Sequence, residues 1–225
     1  MTSYGWMEPA IGRIEQDPLA RRIAVGERPV LACVARQAGM VIARSARARG
    51  WVTAEAALRA EGVVIHESAE EPAAGPFVHH ALYIAPPPRV TLFVRTLQAL
   101  DRHLDVTGLR ARIGGVGVRE IVLAHELFHH LAATTIMPVA VRPEVEILRV
   151  GPWRRRAVVR AAEEIAAAGF AAAWCGVDEA PALLDAATLE IQAVLCSAAS
   201  RTGRRTEDRT DARSTGWCGP AGPAP

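Results

Sequence analysis

The chain of 225 residues contains no lysine and no asparagine, so every side-chain cation other than histidine is an arginine. That absence excludes a catalytic lysine and a lysine-bearing phosphate loop of the Walker type. Cysteine is scarce: Cys33, Cys175, Cys196 and Cys218 are widely scattered and form no C-x-x-C pair. Neither a disulfide scaffold nor a thiolate zinc site is therefore indicated. No apolar run approaches the ~20 residues needed to span a bilayer. The stretch from Met1 to Glu15 holds acidic and proline residues where a signal peptide would need a basic and then an apolar region. A soluble, cytoplasmic protein without a membrane partner is the expectation. Excess charge is also lacking, because the net value is only +2. Such a balance gives no general attraction to polyanions, and direct nucleic-acid binding is not expected from it.

Half of the residues are apolar, enough for one domain with a sizeable core. Residues 1–28 read as an N-terminal arm with one short helix over 18–25, residues 29–199 as the folded domain, and residues 200–225 as a disordered tail poor in apolar side chains. From Val30 to Arg47 the positions Val30, Leu31, Val34, Ala38, Val41 and Ile42 recur at helical spacing and predict an amphipathic helix with those residues inward. Ala35 and Gly39 lend it a faint helix-turn-helix look, but no recognition helix follows. Thr53 caps a short helix ending at Gly62. Three β-rich runs follow: Val63–His66, Val78–Ile84 and Val90–Val94. Hairpin order predicts that they form an antiparallel sheet. A short helix over Thr96–Leu104 and a glycine-rich loop over Gly108–Gly117 lead into the central segment. Beyond it, Pro138, Pro143 and Pro152 mark an irregular stretch with a strand over Val145–Val150. Helices are expected over Arg154–Trp174, with Arg154-Arg155-Arg156 as its solvated start, and over Pro181–Ala199.

The central segment reads Val118-Arg119-Glu120-Ile121-Val122-Leu123-Ala124-His125-Glu126-Leu127-Phe128-His129-His130-Leu131. Its apolar residues lie nearly all round, which predicts a buried helix. Two histidines four apart on a helix share one face, so His125 and His129 can converge on one tetrahedral ion. Glu126 lies beside that ion, placed to take a proton from metal-bound water as in the H-E-x-x-H zinc hydrolases. With seven histidines in the chain, chance supplies about 0.02 such matches. Burying two imidazoles and a carboxylate without a partner would cost several kcal/mol, roughly, and a cation removes that cost.

A catalytic zinc site needs a third protein ligand and one open position. The adjacent carboxylates Glu163 and Glu164 sit on the next long, alanine-rich helix, where Ala167, Ala168 and Ala171 permit close approach to the motif helix. In this pairing of an H-E-x-x-H helix with a later helix reading E-x-x-A-x-x-F-A, matched by Glu164, Ala167, Phe170 and Ala171, the chain resembles the ImmA/IrrE family of gluzincin-like metallopeptidases. The resemblance spans roughly Ala46 to Trp174. It implies an α+β zincin-like domain, a small mostly antiparallel three-stranded sheet packed on the motif helix, zinc held by His125, His129 and Glu164, and Glu126 as general base. The chain departs from the family at Phe128, where glycine is usual and where a phenyl ring would narrow the cleft, at Ala168, and at Ala173-Trp174-Cys175-Gly176.

The expected function is a zinc-dependent peptidase acting on a protein or peptide substrate, which the resemblance suggests is a repressor or other regulatory protein. The alternative is a zincin-fold regulatory module with weak or no catalysis, working by protein–protein binding; a DNA-binding regulator using the 30–47 helix is a third reading. Candidate donors to a developing oxyanion are His66, His79, His80, Tyr83 and His130. The oligomeric state is left open.

Overall fold

Small residues decide where the helices of this chain meet. The computed structural model describes residues 5–70, 79–135 and 137–193; the tail over 200–225 lies outside them. Helix α2 (Arg28–Arg47) and helix α6 (Arg160–Cys175) cross with their backbones in contact at two glycines. A Cβ on Gly39 would lie 1.9 Å from the Ala166 carbonyl oxygen, and one on Gly169 would lie 2.4 Å from the Arg36 carbonyl oxygen. No residue larger than glycine fits either place without moving a helix.

This crossing corrects the face assigned to α2. Its buried stripe is Ala32, Ala35, Arg36, Gly39, Ala43 and Ala46, whereas Val30, Val34 and Val41, expected inside, are exposed. Periodicity finds a helix but ranks its faces by hydrophobicity; here the partner's proximity selects the small side chains instead. Arg36 is buried with them, its guanidinium 2.7 Å from Asp178 and stacked over the Trp6 ring at 4.4 Å.

The expected N-terminal arm contains helix α1 (Met7–Gln16), with Ile14 fully buried against α2 and α6. Pro9 stands in its first turn, where a missing N–H is harmless. The helix expected over 18–25 is replaced by two single 3-10 turns, Ala20–Arg22 and Val25–Glu27. Asp17 ends α1 and caps α6 by accepting from the Ala161 N–H at 2.9 Å. Thus the first residues of the chain hold the start of the helix that carries Glu164.

Helix α3 (Ala54–Ala60) is capped by Thr53, which accepts from the Ala56 N–H at 3.1 Å. Strands β1 (Val64–Ser68), β2 (Ala81–Ile84) and β3 (Arg89–Phe93) form one sheet in the order β1-β3-β2. The sheet is mixed, not antiparallel: β2 and β3 make the expected hairpin, but β1 runs parallel to β3. A parallel pair needs a connection of a dozen residues or more, and the segment from β1 to β3 supplies it by way of β2. Val90 and Leu92 of central β3 are fully buried. Helix α4 (Val94–Val106) follows directly.

Helix α5 (Val118–Thr134) carries the histidine motif through the middle of the larger core, with Val118, Leu123, Ala124, Leu127 and Phe128 buried. Glu120 in its first turn accepts from the Ala54 N–H and from Trp174 Nε1, each at 2.8 Å, and so ties α3, α5 and α6 together. After α5, strands β4 (Glu144–Val150) and β5 (Trp153–Val158) form a separate two-stranded hairpin. The helix expected from Arg154 therefore starts only at Arg160; Arg154-Arg155-Arg156 are strand residues. Gly151, at φ +58°, supplies the left-handed turn that closes the hairpin. Gly176 ends α6 in the same conformation, and the described residues 180–193 are helical and form α7. Among the described residues the architecture is α+β, seven helices with a small mixed sheet and a two-stranded sheet. Among the described residues no helix is long and apolar enough to cross a membrane.

Candidate metal centre

Four residues apart on α5, His125 and His129 set their rings edge to face one turn above each other, with centroids 4.9 Å apart and planes 62° to one another. Their Nε2 atoms are 3.1 Å apart. Helix α6 packs across α5 through Ala167, Phe170 and Ala171 and brings Glu164 to the same point. One Glu164 oxygen lies 3.3 Å from His125 Nε2 and the other 3.5 Å from His129 Nε2. Ligands about 2.05 Å from a tetrahedral ion are separated by about 3.3 Å. The separation of the two Nε2 atoms is close to that edge length, each Glu164 oxygen stands at a similar distance from one of them, and two imidazoles plus a carboxylate suit zinc chemically. Among the described residues this is the group of histidine, cysteine, aspartate or glutamate side chains able to hold a metal ion. The site faces outward: the Glu164 side chain is 41% exposed and those of His125 and His129 are partly so.

Glu126 is buried beside this triad. Burial pushes its carboxyl above the ordinary range, the two histidines pull it back, and the Tyr83 backbone N–H of β2 bonds to it. A shift in this direction favours the protonated form more than in a free carboxyl, the direction that suits a group that must accept and return a proton. Glu164 has the opposite balance. Burial would raise it, but the hydrogen bond and charge of His125, then His129 and Arg13, hold it down at about 2. It is therefore a carboxylate ready to bind a cation. Glu126 and Glu164 thus have carboxyls driven apart by their surroundings.

Two arginines far apart in the chain brace the ligands. Arg142, in the loop before β4, donates from Nε to Glu163 at 2.8 Å, and Glu163 in turn lies 3.4 Å from His129 Nδ1. The hydrogen bond to His129, against the opposing effect of burial and with Arg142 in support, holds the Glu163 carboxyl at about 2. An ionised Glu163 keeps the hydrogen of His129 on Nδ1 and leaves Nε2 free to bind a metal, the usual second layer around a metal-bound histidine. On the other side Arg13 of α1 lies 3.7 Å from Glu164 and 2.6 Å from Asp185. Sequence reasoning missed both arginines. Arg13 lay in a segment read as an arm, although Ala10 and Ile14 at helical spacing signalled a packed helix; Arg142 in its proline-rich stretch carried no signal.

The other expectations about the site divide. Phe128 does not narrow the cleft: it is fully buried, its ring 5.8 Å from that of Phe170 in the α5–α6 core. His130 is buried, with Nδ1 3.1 Å from the Tyr83 hydroxyl, so the two candidate donors are paired with each other. Thr188 gives its proton to the Leu184 carbonyl at 2.6 Å, so its contact with His80 Nε2 at 2.9 Å requires His80 to donate. Burial lowers His80 to about 4, and it is a neutral imidazole at physiological pH. His66 lies on β1, the edge of the sheet opposite β2. No family model, curated protein or solved structure matches the chain.

Proposed function

We propose that the protein is a zinc-dependent peptidase of zincin-like fold, with His125, His129 and Glu164 as metal ligands and Glu126 as general base. The observation that carries this reading is the meeting of two imidazole Nε2 atoms 3.1 Å apart with the Glu164 carboxylate, one oxygen 3.3 Å from His125 and the other 3.5 Å from His129, and the buried Glu126 carboxyl beside them. Zinc, when bound, supplies Lewis acidity and makes water nucleophilic near neutral pH. The chain's own contribution is proton movement and orientation. Glu126 takes the proton of the attacking water and returns it to the leaving amine, while Glu163 and Arg142 fix the His129 ring. Apolar walls around α5 keep competing water from Glu126. The substrate is a protein or peptide, and the resemblance of the two helical motifs to the ImmA/IrrE family points to a regulatory protein.

A binding module that keeps the metal without turning over substrate is the second reading. It is favoured by one observation: the Tyr83 hydroxyl and His80 Nε2, both candidates for stabilising an oxyanion, are engaged elsewhere. Zinc analysis of wild type, His129→Ala and Glu126→Gln, with hydrolysis of a fluorescence-quenched peptide library, separates the two. The peptidase reading requires about one zinc per chain, lost in His129→Ala, and a Glu126→Gln protein that retains zinc but loses at least about 100-fold in hydrolysis. Zinc without hydrolysis in wild type favours the binding module, and no zinc in wild type overturns both.

A further inference from the structure

The β4–β5 hairpin is unlike the rest of the fold. Residues 148–156 are all exposed, so neither face of the distal hairpin is covered by any described part of the chain. Only its base is attached: Arg22 donates to the Ile147 carbonyl at 3.2 Å, the Val159 N–H donates to the Pro143 carbonyl at 2.9 Å, and Val159 is buried. A two-stranded ribbon with both faces in water is marginal on its own.

Its register sorts the side chains. Residues paired directly across an antiparallel ladder project to the same face. The pairs Leu148↔Arg155 and Val150↔Trp153 therefore place Leu148, Val150, Trp153 and Arg155 on one face, and Arg149↔Arg154 lies on the other. Trp153 is 81% exposed at the turn. From residue 147 to residue 158 there are four arginines and no carboxylate. Arg149 opposite Arg154 is a like-charge pair that costs stability in isolation; the neighbouring acid is Glu146, 3.8 Å from Arg154 and nearer the base. A net charge of +2 for the whole chain conceals this concentration.

We propose that the β4–β5 hairpin is a nucleic-acid-binding ribbon. The partner it fits is a phosphodiester backbone. Anions between Arg149 and Arg154 would remove their repulsion, and arginine forks match phosphate oxygens geometrically. A two-stranded ribbon is also the β element that the major groove of duplex DNA admits, and Trp153 at its tip has the flat apolar surface on which an unpaired base stacks. The inference is independent of the metal centre, which lies on α5 and α6, and departs from what the overall charge leads one to expect.

Fluorescence anisotropy of the full-length protein with labelled duplex DNA, single-stranded DNA and duplex RNA, over a range of salt, tests it. Vesicles of phosphatidylglycerol and phosphatidylcholine serve as the other polyanion. The ribbon requires binding to at least one nucleic acid, with affinity falling steeply as salt rises. Changing Arg149, Arg154, Arg155 and Arg156 together to Gln then lowers the slope of log affinity against log salt by about 3 and weakens binding at least about 30-fold. Trp153→Ala weakens single-strand binding about tenfold. All these residues are exposed, and circular dichroism with zinc content verifies that the variants fold. Absence of nucleic-acid binding, binding that survives the fourfold change, or binding only to the vesicles overturns the proposal.

Discussion

The α5–α6 interface and the β4–β5 hairpin use charge in opposite ways. At the interface each anion has a cation within reach, Arg142 for Glu163 and Arg13 for Glu164, with the motif histidines beside them. On the hairpin, Arg149 faces Arg154 and the apolar residues beside them face water. A compensated cluster is a structure complete except for the small ion at its centre; an uncompensated one is complementary to something larger outside. The two regions are also joined, because Arg142 at the foot of the hairpin reaches Glu163.

The sharpest way to break the comparison is to disturb the scaffold that sets the interface. Gly39→Val puts a side chain where the Ala166 carbonyl stands, so α6 must move and take Glu164 with it. A loss of at least about 3 kcal/mol in urea unfolding is expected, together with weakened zinc binding. A stability within 1 kcal/mol of wild type, roughly, would show that α2 and α6 are not held at this distance.

Next in size is the bracing of His129. Glu163→Ala removes the acceptor at Nδ1 and should weaken zinc binding about 10- to 100-fold in chelator competition. Glu163→Gln, which keeps an acceptor oxygen but no charge, should fall between that variant and wild type. If Glu163→Ala binds zinc as tightly as wild type, the arginine–glutamate pair is an ordinary surface contact and the two regions are not coupled at the ligand.

What was legible in the sequence follows the same division. The chemistry of α5 is local, since a four-residue spacing on a helix sets His125 and His129 together whatever surrounds them. Composition leaves Glu163 and Glu164 both open as the third ligand, the family resemblance alone selects Glu164, and the structure brings Glu164 to both histidines. The features misread depend on contacts distant in the chain. Val30, Val34 and Val41 are exposed because Gly39 and Gly169 let two backbones touch, which no periodicity in α2 alone reveals. The parallel pairing of β1 with β3 depends on a connection that hairpin logic does not consider. Arg154-Arg155-Arg156 suit a helix start by composition, yet they lie in a strand because Gly151 turns the chain back onto β4.

The smallest expected effect is the most discriminating for the hairpin. Trp153 and Trp174 are the same residue in opposite settings, one 81% exposed at a turn and the other buried between Phe170 and Arg47. Trp174→Ala should cost about 3–5 kcal/mol, as removal of a buried aromatic does. Trp153→Ala gives up only its cross-strand contact with Val150, a term of about 0.5 kcal/mol. Urea unfolding of the two variants under one set of conditions measures the contrast directly. A tryptophan whose loss leaves the fold nearly unchanged is available to bind something else. Were Trp153→Ala to cost more than about 2 kcal/mol, the hairpin would be clamped to the body of the protein, and its tip would belong with the buried interface.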